Sequence, residues 1–194
     1  MSMGDAGLHP AVRQFLATLP PDATLRRYAA VVDALNARLA QLRHAESDAV
    51  AWLAEIDLAL RETDPEARQQ LLDQRAQRTA ARAALSEEIA TVTTQRVVAY
   101  LRWLARLHAL AIAEAAQVET ALAALGSEQG ERARALQAQR TRARQIAGLA
   151  RHQAQWYGTD VRLEAPETWT EAAARAGRLQ QVRIEETFPQ DELG

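Results

Sequence analysis

The stretch from Asp22 to Glu62 constrains the fold more than any other part of the chain. Its apolar residues recur at alternating spacings of three and four, which is the pattern of a coiled-coil seam. Glu46 is the one charged residue at a seam position. The segment is therefore predicted to form one long helix that packs along another helix. The seam positions are Leu25, Tyr28, Val32, Leu35, Leu39, Leu42, Glu46, Ala49, Leu53, Ile56 and Leu60.

A short turn with the sequence RETDPEAR, residues 61–68, separates this helix from a second one. Asp64 before Pro65 predicts a helix N-cap followed by proline at the first helical position, although Thr63 and Glu66 could form a capping box instead. A connection this short favours an antiparallel neighbour. The stripe of the second helix is Leu71, Arg75, Arg78, Arg82, Leu85, Ile89, Val92, Arg96, Ala99 and Trp103.

The two stripes match each other as the two sides of an antiparallel hairpin. Facing residues in such a hairpin have a constant sum of positions, and pairing the stripes from Ile56 with Leu71 onwards gives sums of 127 or 128. This pairing places Glu46 opposite Arg82. A partly buried ion pair adds little stability because of desolvation, but it can fix the register of a helix pair. We therefore expect Glu46 and Arg82 to form the register pair of the hairpin.

The second helix is predicted to continue beyond the hairpin to Leu125, because nothing breaks its pattern before that residue. Its second half, residues 97–125, carries another apolar stripe. A return helix over residues 127–157 can cover this stripe, and a short helix over residues 10–19 can pack at the same end. Together these segments predict a compact helical bundle at the base of the hairpin.

The sequence thus predicts an all-α fold, in which an elongated antiparallel coiled-coil hairpin projects from a small helical bundle and a short mixed section follows. A hydrophobic content of 48% with only 5% aromatic residues favours helices over sheets. The predicted parts are residues 1–30, with the short helix and the start of the hairpin; 31–96, the arm with its turn at 62–65; 97–157, the bundle end; and 158–194, a C-terminal loop, short helix and acidic tail.

The amino-acid composition restricts the expected cellular location and the kinds of binding site. The chain has no cysteine, so neither a disulfide framework nor a thiolate metal site is available, and the cytoplasm is the expected location. The N-terminus does not have the pattern of a signal peptide, and no apolar run is long enough to predict a membrane span. All 23 basic residues are Arg, which suggests a GC-rich bacterial genome, and the net charge of −2 gives no general attraction to nucleic acid.

No motif in the sequence indicates catalysis, a metal or a cofactor. The four histidines are far apart, and the spacings typical of zinc, di-metal, nucleophilic-serine and phosphate-binding sites are absent. We therefore expect a protein without enzymatic activity and without a bound cofactor. An enzyme or small-ligand binder at the bundle end stays an alternative, and a pocket around His108, Trp103 and Trp156 would favour it.

The predicted return helix is rich in arginine. Four of its arginines fall in about a third of the helix circumference, so nucleic-acid contact is an alternative function. Leu136 shares that arc, however, and a phosphate-binding surface favours a more continuous basic stripe. The four residues are Arg132, Arg140, Arg144 and Arg151.

The turn of the hairpin carries Glu62, Asp64 and Glu66. Acidic residues near a helix N-terminus satisfy free amides and the helix dipole, so capping alone explains them. The functional alternative is that the turn, at the end of a long arm, binds a protein partner. A homodimer formed through the arms is also plausible, because a second copy could supply carboxylates to the arm arginines. Protein interaction or assembly is therefore the leading prediction.

Overall fold

The computed structural model describes residues 9–62, 64–125 and 130–157, and at Glu66 the backbone only. Within these ranges the chain forms four α-helices and no strand, so the predicted all-α class is confirmed. The predicted C-terminal section, residues 158–194, lies outside the described residues. The helices are α1 (Pro10–Ala17), α2 (Ala23–Glu62), α3 (Pro65–Leu125) and α4 (Glu131–Gln155).

The short helix α1 ends two residues earlier than predicted. The Thr18 backbone amide and hydroxyl both donate to the carbonyl oxygen of Phe15, at 3.0 and 2.6 Å, and this closes the last turn before two prolines. Val12 and Phe15 are buried in the main core of the molecule. The helix therefore packs against α4, near residues 135–142.

Helices α2 and α3 run antiparallel to each other. Hydrogen bonds link Asn36 with Arg96 and Glu46 with Ser86, so residues later in α2 meet residues earlier in α3. Every seam position predicted on α2 is buried or half-buried, as an amphipathic stripe requires. These contacts fit the predicted hairpin.

The N-terminus of α3 is capped as predicted. The Asp64 carboxylate accepts a hydrogen bond of 3.0 Å from the backbone amide of Ala67, and Pro65 is the first residue of the helix. Proline is suited to this position because its missing amide would have no partner there. The alternative capping box involves Thr63, which lies outside the described residues.

Helix α3 is the central element. Its 61 residues span about 90 Å at 1.5 Å per residue, and it packs against α2 along its first part and α4 along its last part. The two partners overlap around residues 97–107, where Arg106 bonds to Asp22, the residue before α2, and Tyr100 bonds to Gln153 of α4. The most deeply buried large side chains lie there, including Leu101, Leu104 and Leu107.

No helix in the described ranges combines the length and the apolar character that crossing a bilayer requires.

Candidate interaction surface

The part of the hairpin near its turn is more exposed to solvent than the rest. We call it the outer arm and define it as residues 46–62 of α2 and 65–86 of α3. A small core of Leu39, Leu42 and Val92 fills the middle of the hairpin. Beyond it, all thirteen α3 residues from 72 to 84 are exposed. More than three turns of α3 therefore have no buried side.

In the outer arm, the seam of α2 is less exposed to solvent than α3. Ile56 of α2 is only 5% exposed, and its neighbours on the seam are half-buried. The predicted α3 positions facing this part of the seam are mostly arginines. Arginine can lie along apolar surface with its aliphatic stem while its guanidinium stays in water, which explains a covered α2 seam beside an exposed α3.

Two arginines of the outer arm bind α2 directly. The Arg75 guanidinium donates to the Asp57 carboxylate at 2.7 Å, and this hydrogen bond raises the pKa of Arg75. The Arg78 guanidinium lies 4.3 Å above the centre of the Trp52 ring, within the range of a cation–π interaction. These contacts anchor the arginine stems across the seam.

The predicted register pair has a different arrangement. The Ser86 hydroxyl donates to the Glu46 carboxylate at 2.8 Å, while Arg82 is exposed and forms no ion pair with any described residue. Ser86 lies one helical turn after Arg82, so the contact of Glu46 is displaced by a turn from the predicted one. An exposed guanidinium keeps its hydration, whereas the short hydroxyl of Ser86 reaches the carboxylate inside the hairpin. A register role for Glu46 and Arg82 stays a prediction.

One flank of the outer arm carries exposed apolar side chains. Val50 is 44% exposed and Leu72 is 42% exposed, and each directly follows a seam residue. Positions that follow the seam lie on the same flank in both helices of an antiparallel pair. Ala54 and Ala76, one turn further along each helix, are exposed as well. We call this flank, defined by Val50, Ala54, Leu72 and Ala76, the arm face.

The acidic turn serves at least one structural purpose. Asp64 caps α3, as described above, while Glu62 is exposed at the end of α2. Of Glu66 only the backbone is described. The suggested role of Glu62, Asp64 and Glu66 in partner binding is untested and stays a prediction.

The arginine helix is partly engaged inside the fold. Arg140 and Arg144 both pair with Glu119 of α3, and Arg151 is half-buried, whereas Arg132 is exposed. These four residues therefore do not form a continuous free basic stripe. The sequence predicted that these arginines share one side of α4, but it did not predict that Glu119 faces two of them.

We call the part of the molecule formed by α1, the start of α2, residues 97–125 of α3 and α4 the base, and it contains an aromatic cluster that was not predicted. The ring of Tyr100 stacks on Trp103 with centroids 6.1 Å apart, and Tyr157 meets Tyr100 edge-on. The Tyr100 hydroxyl donates to Gln153 at 2.7 Å, and burial raises the pKa of Tyr100 to about 12. Trp103 is 4% exposed.

The residues proposed to line a ligand pocket are not brought together. Trp103 is buried in the core, His108 is half-buried, and Trp156 is 81% exposed beside His152. A cleft with a volume of about 320 Å³ lies elsewhere, between α1 and α4. Of its polar groups, the Thr18 hydroxyl is already bonded to Phe15. No group of three potential metal-binding side chains occurs among the described residues.

The base also contains a polar contact between α2 and α3 that the sequence did not predict. The Asp22 carboxylate accepts from the backbone amide of Leu25 at 2.6 Å and from the Arg106 guanidinium at 2.6 Å. The arginine hydrogen bond, with the backbone amide adding to it, lowers the pKa of Asp22. This one carboxylate therefore caps α2 and ties it to α3.

Neither a protein-family model, nor a curated protein, nor a solved structure matches this chain.

Proposed function

We propose that this chain is a non-enzymatic protein of interaction or assembly, and that a protein partner binds its outer arm. The observation that carries the proposal is the run of thirteen exposed residues on α3, from 72 to 84. Helices in proteins owe most of their stability to the packing of an apolar side against a neighbour. A partner helix on the arm face would give this segment the packing that its own chain leaves out.

The composition of the outer arm suits a protein partner. Exposed aliphatic side chains, Val50, Leu58 and Leu72, lie beside alanines that permit close approach of another helix. Arginine and tryptophan, the residues enriched at the energetic centres of interfaces, are also present in the outer arm as the Arg78–Trp52 pair, on the flank opposite the arm face. A partner would bind an apolar strip bordered by guanidinium groups.

The non-enzymatic part of the proposal rests on how the reactive groups are used. Asp22 and Arg106 bond to each other, and Tyr100 bonds to Gln153 within the base. Each is engaged in holding helices together. The lack of cysteine also supports the cytoplasm as the proposed location.

A nucleic-acid-associated role of α4 is the second candidate. Arg132 and Arg134 are exposed near the start of α4, and Trp156 presents 81% of its surface just after its end. Bases stack on exposed aromatic rings, and phosphates bind arginine. The engagement of Arg140 and Arg144 with Glu119 weakens this candidate relative to the arm.

A retention assay separates the two candidates. The tagged protein is incubated with an extract of its native host, with and without nuclease, as wild type and as the double variant Leu72→Glu with Ala76→Glu. Ile112→Glu is the matched control, because Ile112 is 48% exposed on the same helix but far from the arm. We expect protein that resists nuclease, is lost with the arm variant and is kept with the control. Retention that disappears with nuclease and ignores the arm variant would support the role of α4 instead.

A further inference from the structure

We propose that the partner on the arm face is a second copy of this chain, with the two outer arms overlapping antiparallel so that Leu72 of each packs against Ala76 of the other. This inference rests on the proposed function of the arm and names its partner. The arm face of α3 carries the large Leu72 beside the small Ala76, so the same surface can act as both knob and hole around a two-fold axis.

Charge complementarity supports the antiparallel arrangement. When Leu72 faces Ala76 of the second copy, the arginine-rich part of each α3 overlaps the end of the other arm. Arg82 then lies level with the turn of the second copy, where Glu62 is exposed. Residues 74–84 contain three arginines and no acidic residue, so a parallel arrangement in register would place like charges together.

Arg82 has no visible structural role within the described part of one chain, although it occupies a predicted seam position. It is exposed and forms no ion pair with the described residues. Its distance from the turn is about 27 Å, at 1.5 Å per residue. An overlap of about 30 Å between two arms therefore brings Arg82 of each copy to Glu62 of the other.

The base leaves room for this overlap. Gln153, near the end of α4, is bonded to Tyr100 of α3, so α4 does not reach the outer arm. Tyr100 lies about 55 Å from the turn along α3. Two copies that overlap by about 30 Å therefore keep their bases on opposite sides of the contact.

The size of the contact predicts a reversible dimer. Two helices, each about 10 Å wide, present roughly 600 Å² over a length of 30 Å. The total of roughly 1,200 Å² is at the lower end of specific interfaces. We therefore expect monomers at low protein concentration and dimers at high concentration.

A charge-exchange experiment tests the proposal. Sedimentation velocity across a concentration series gives the dissociation constant of the wild type, of Arg82→Glu and of Glu62→Arg. We expect each single variant to bind itself at least tenfold more weakly, about 1.4 kcal/mol, because two pairs of like charges then meet across the axis. The mixture of the two variants restores a heterodimer with nearly wild-type affinity, since both of its contacts pair opposite charges.

Arg132→Glu is the matched control, because it makes the same charge change on an exposed side chain of the base. We expect it to dimerise like the wild type. Single variants that dimerise like the wild type, or a mixture that shows no rescue, would overturn the antiparallel contact.

The outcome for the inference is separable from that for the proposed function. If the wild type stays monomeric at every concentration while Leu72→Glu with Ala76→Glu still loses a protein partner in the retention assay, the second copy is wrong and the arm is still an interaction surface. If the wild type is monomeric and the arm variant changes nothing in either assay, both are wrong.

Discussion

The base and the outer arm are built from the same helix but use it differently. In the base, Leu101 and Leu104 of α3 are fully buried, whereas every α3 residue from 72 to 84 is exposed. Both regions are rich in Ala, Leu and Arg. Composition therefore does not explain the difference.

The number of neighbouring helices explains it. Around residues 97–107, α3 has α2 on one side and α4 on another, so most of its circumference is covered. In the outer arm it has α2 alone, and most of the predicted facing positions are arginines. The comparison teaches that one continuous helix can act as core at one end and as surface at the other. Stability should concentrate in the base and binding in the arm.

The largest expected effect is at the centre of the base. Leu104→Ala removes a fully buried side chain, and such changes cost about 2–5 kcal/mol through lost burial and the cavity left behind. Leu72→Ala, on the arm face, is the matched control and should change the free energy of unfolding by about 0.5 kcal/mol or less. Urea unfolding followed by circular dichroism measures both at a low protein concentration. Equal losses would mean that the outer arm is as tightly packed as the base.

The next effect concerns the polar contact of the base. Asp22→Ala removes both the N-cap of α2 and the bond to Arg106, so we expect a loss of about 1–3 kcal/mol at neutral pH. The folded-state pKa of Asp22 lies below its ordinary value of 3.8, so its contribution is fully present above that value and is lost as the pH falls through the folded-state pKa.

Urea unfolding of the wild type and Asp22→Ala, repeated from neutral to acidic pH, measures this dependence. The difference between the two proteins should shrink as the solution becomes acidic. Asp48→Ala serves as the control, because Asp48 is exposed on the hairpin and does not cap a helix. A difference that stays constant down to the lowest pH would show that the carboxylate acts through packing and not through its charge.

Periodicity made the buried side of α2 predictable, because the spacing of apolar residues determines which side of a helix is buried. The seam of α2 and the cap at Asp64 followed from local patterns. The bond between Asp22 and Arg106 did not, because it joins residues 84 positions apart through side-chain conformations that the pattern does not specify. Ser86 was missed as the partner of Glu46 for the same reason.

Exposure was harder to predict than helicity. A seam position occupied by arginine is compatible with a covered stem, a buried ion pair or an open surface, and only the three-dimensional arrangement chooses among them. Arg75, Arg78 and Arg82 illustrate three outcomes: a bond to Asp57, a stack on Trp52 and an exposed side chain. The arm face could be inferred only after these positions were known.

A smaller effect is expected at alkaline pH in the base. Burial raises the pKa of Tyr100 to about 12, from an ordinary value of 10.0. A group whose folded-state pKa is raised contributes stability that is complete below pH 10 and is lost as the pH rises toward 12. The outer arm contains no tyrosine, so this alkaline loss belongs to the base.

The difference in tyrosinate absorbance between the wild type and Tyr100→Phe isolates the titration of this one side chain. We expect a midpoint near 12, provided that the chain is still folded by circular dichroism at that pH. At neutral pH the substitution removes one hydrogen bond to Gln153 and should cost about 0.5–1.5 kcal/mol. A midpoint at the ordinary value would contradict the burial of Tyr100.

The smallest expected effect is in the outer arm. Both partners of the Arg75–Asp57 bridge are about half exposed, so water and salt screen their attraction and the charge of Arg75 should add nothing measurable to stability. Arg75→Gln should therefore leave the urea midpoint of the monomer unchanged, whereas Arg75→Ala, which also shortens the stem that can cover the α2 seam, should lower it. If the two variants lose stability equally, the charge itself holds the outer arm together. The contrast with the base would then be one between ionic and apolar packing, and no longer one between a core and a surface left open for a partner.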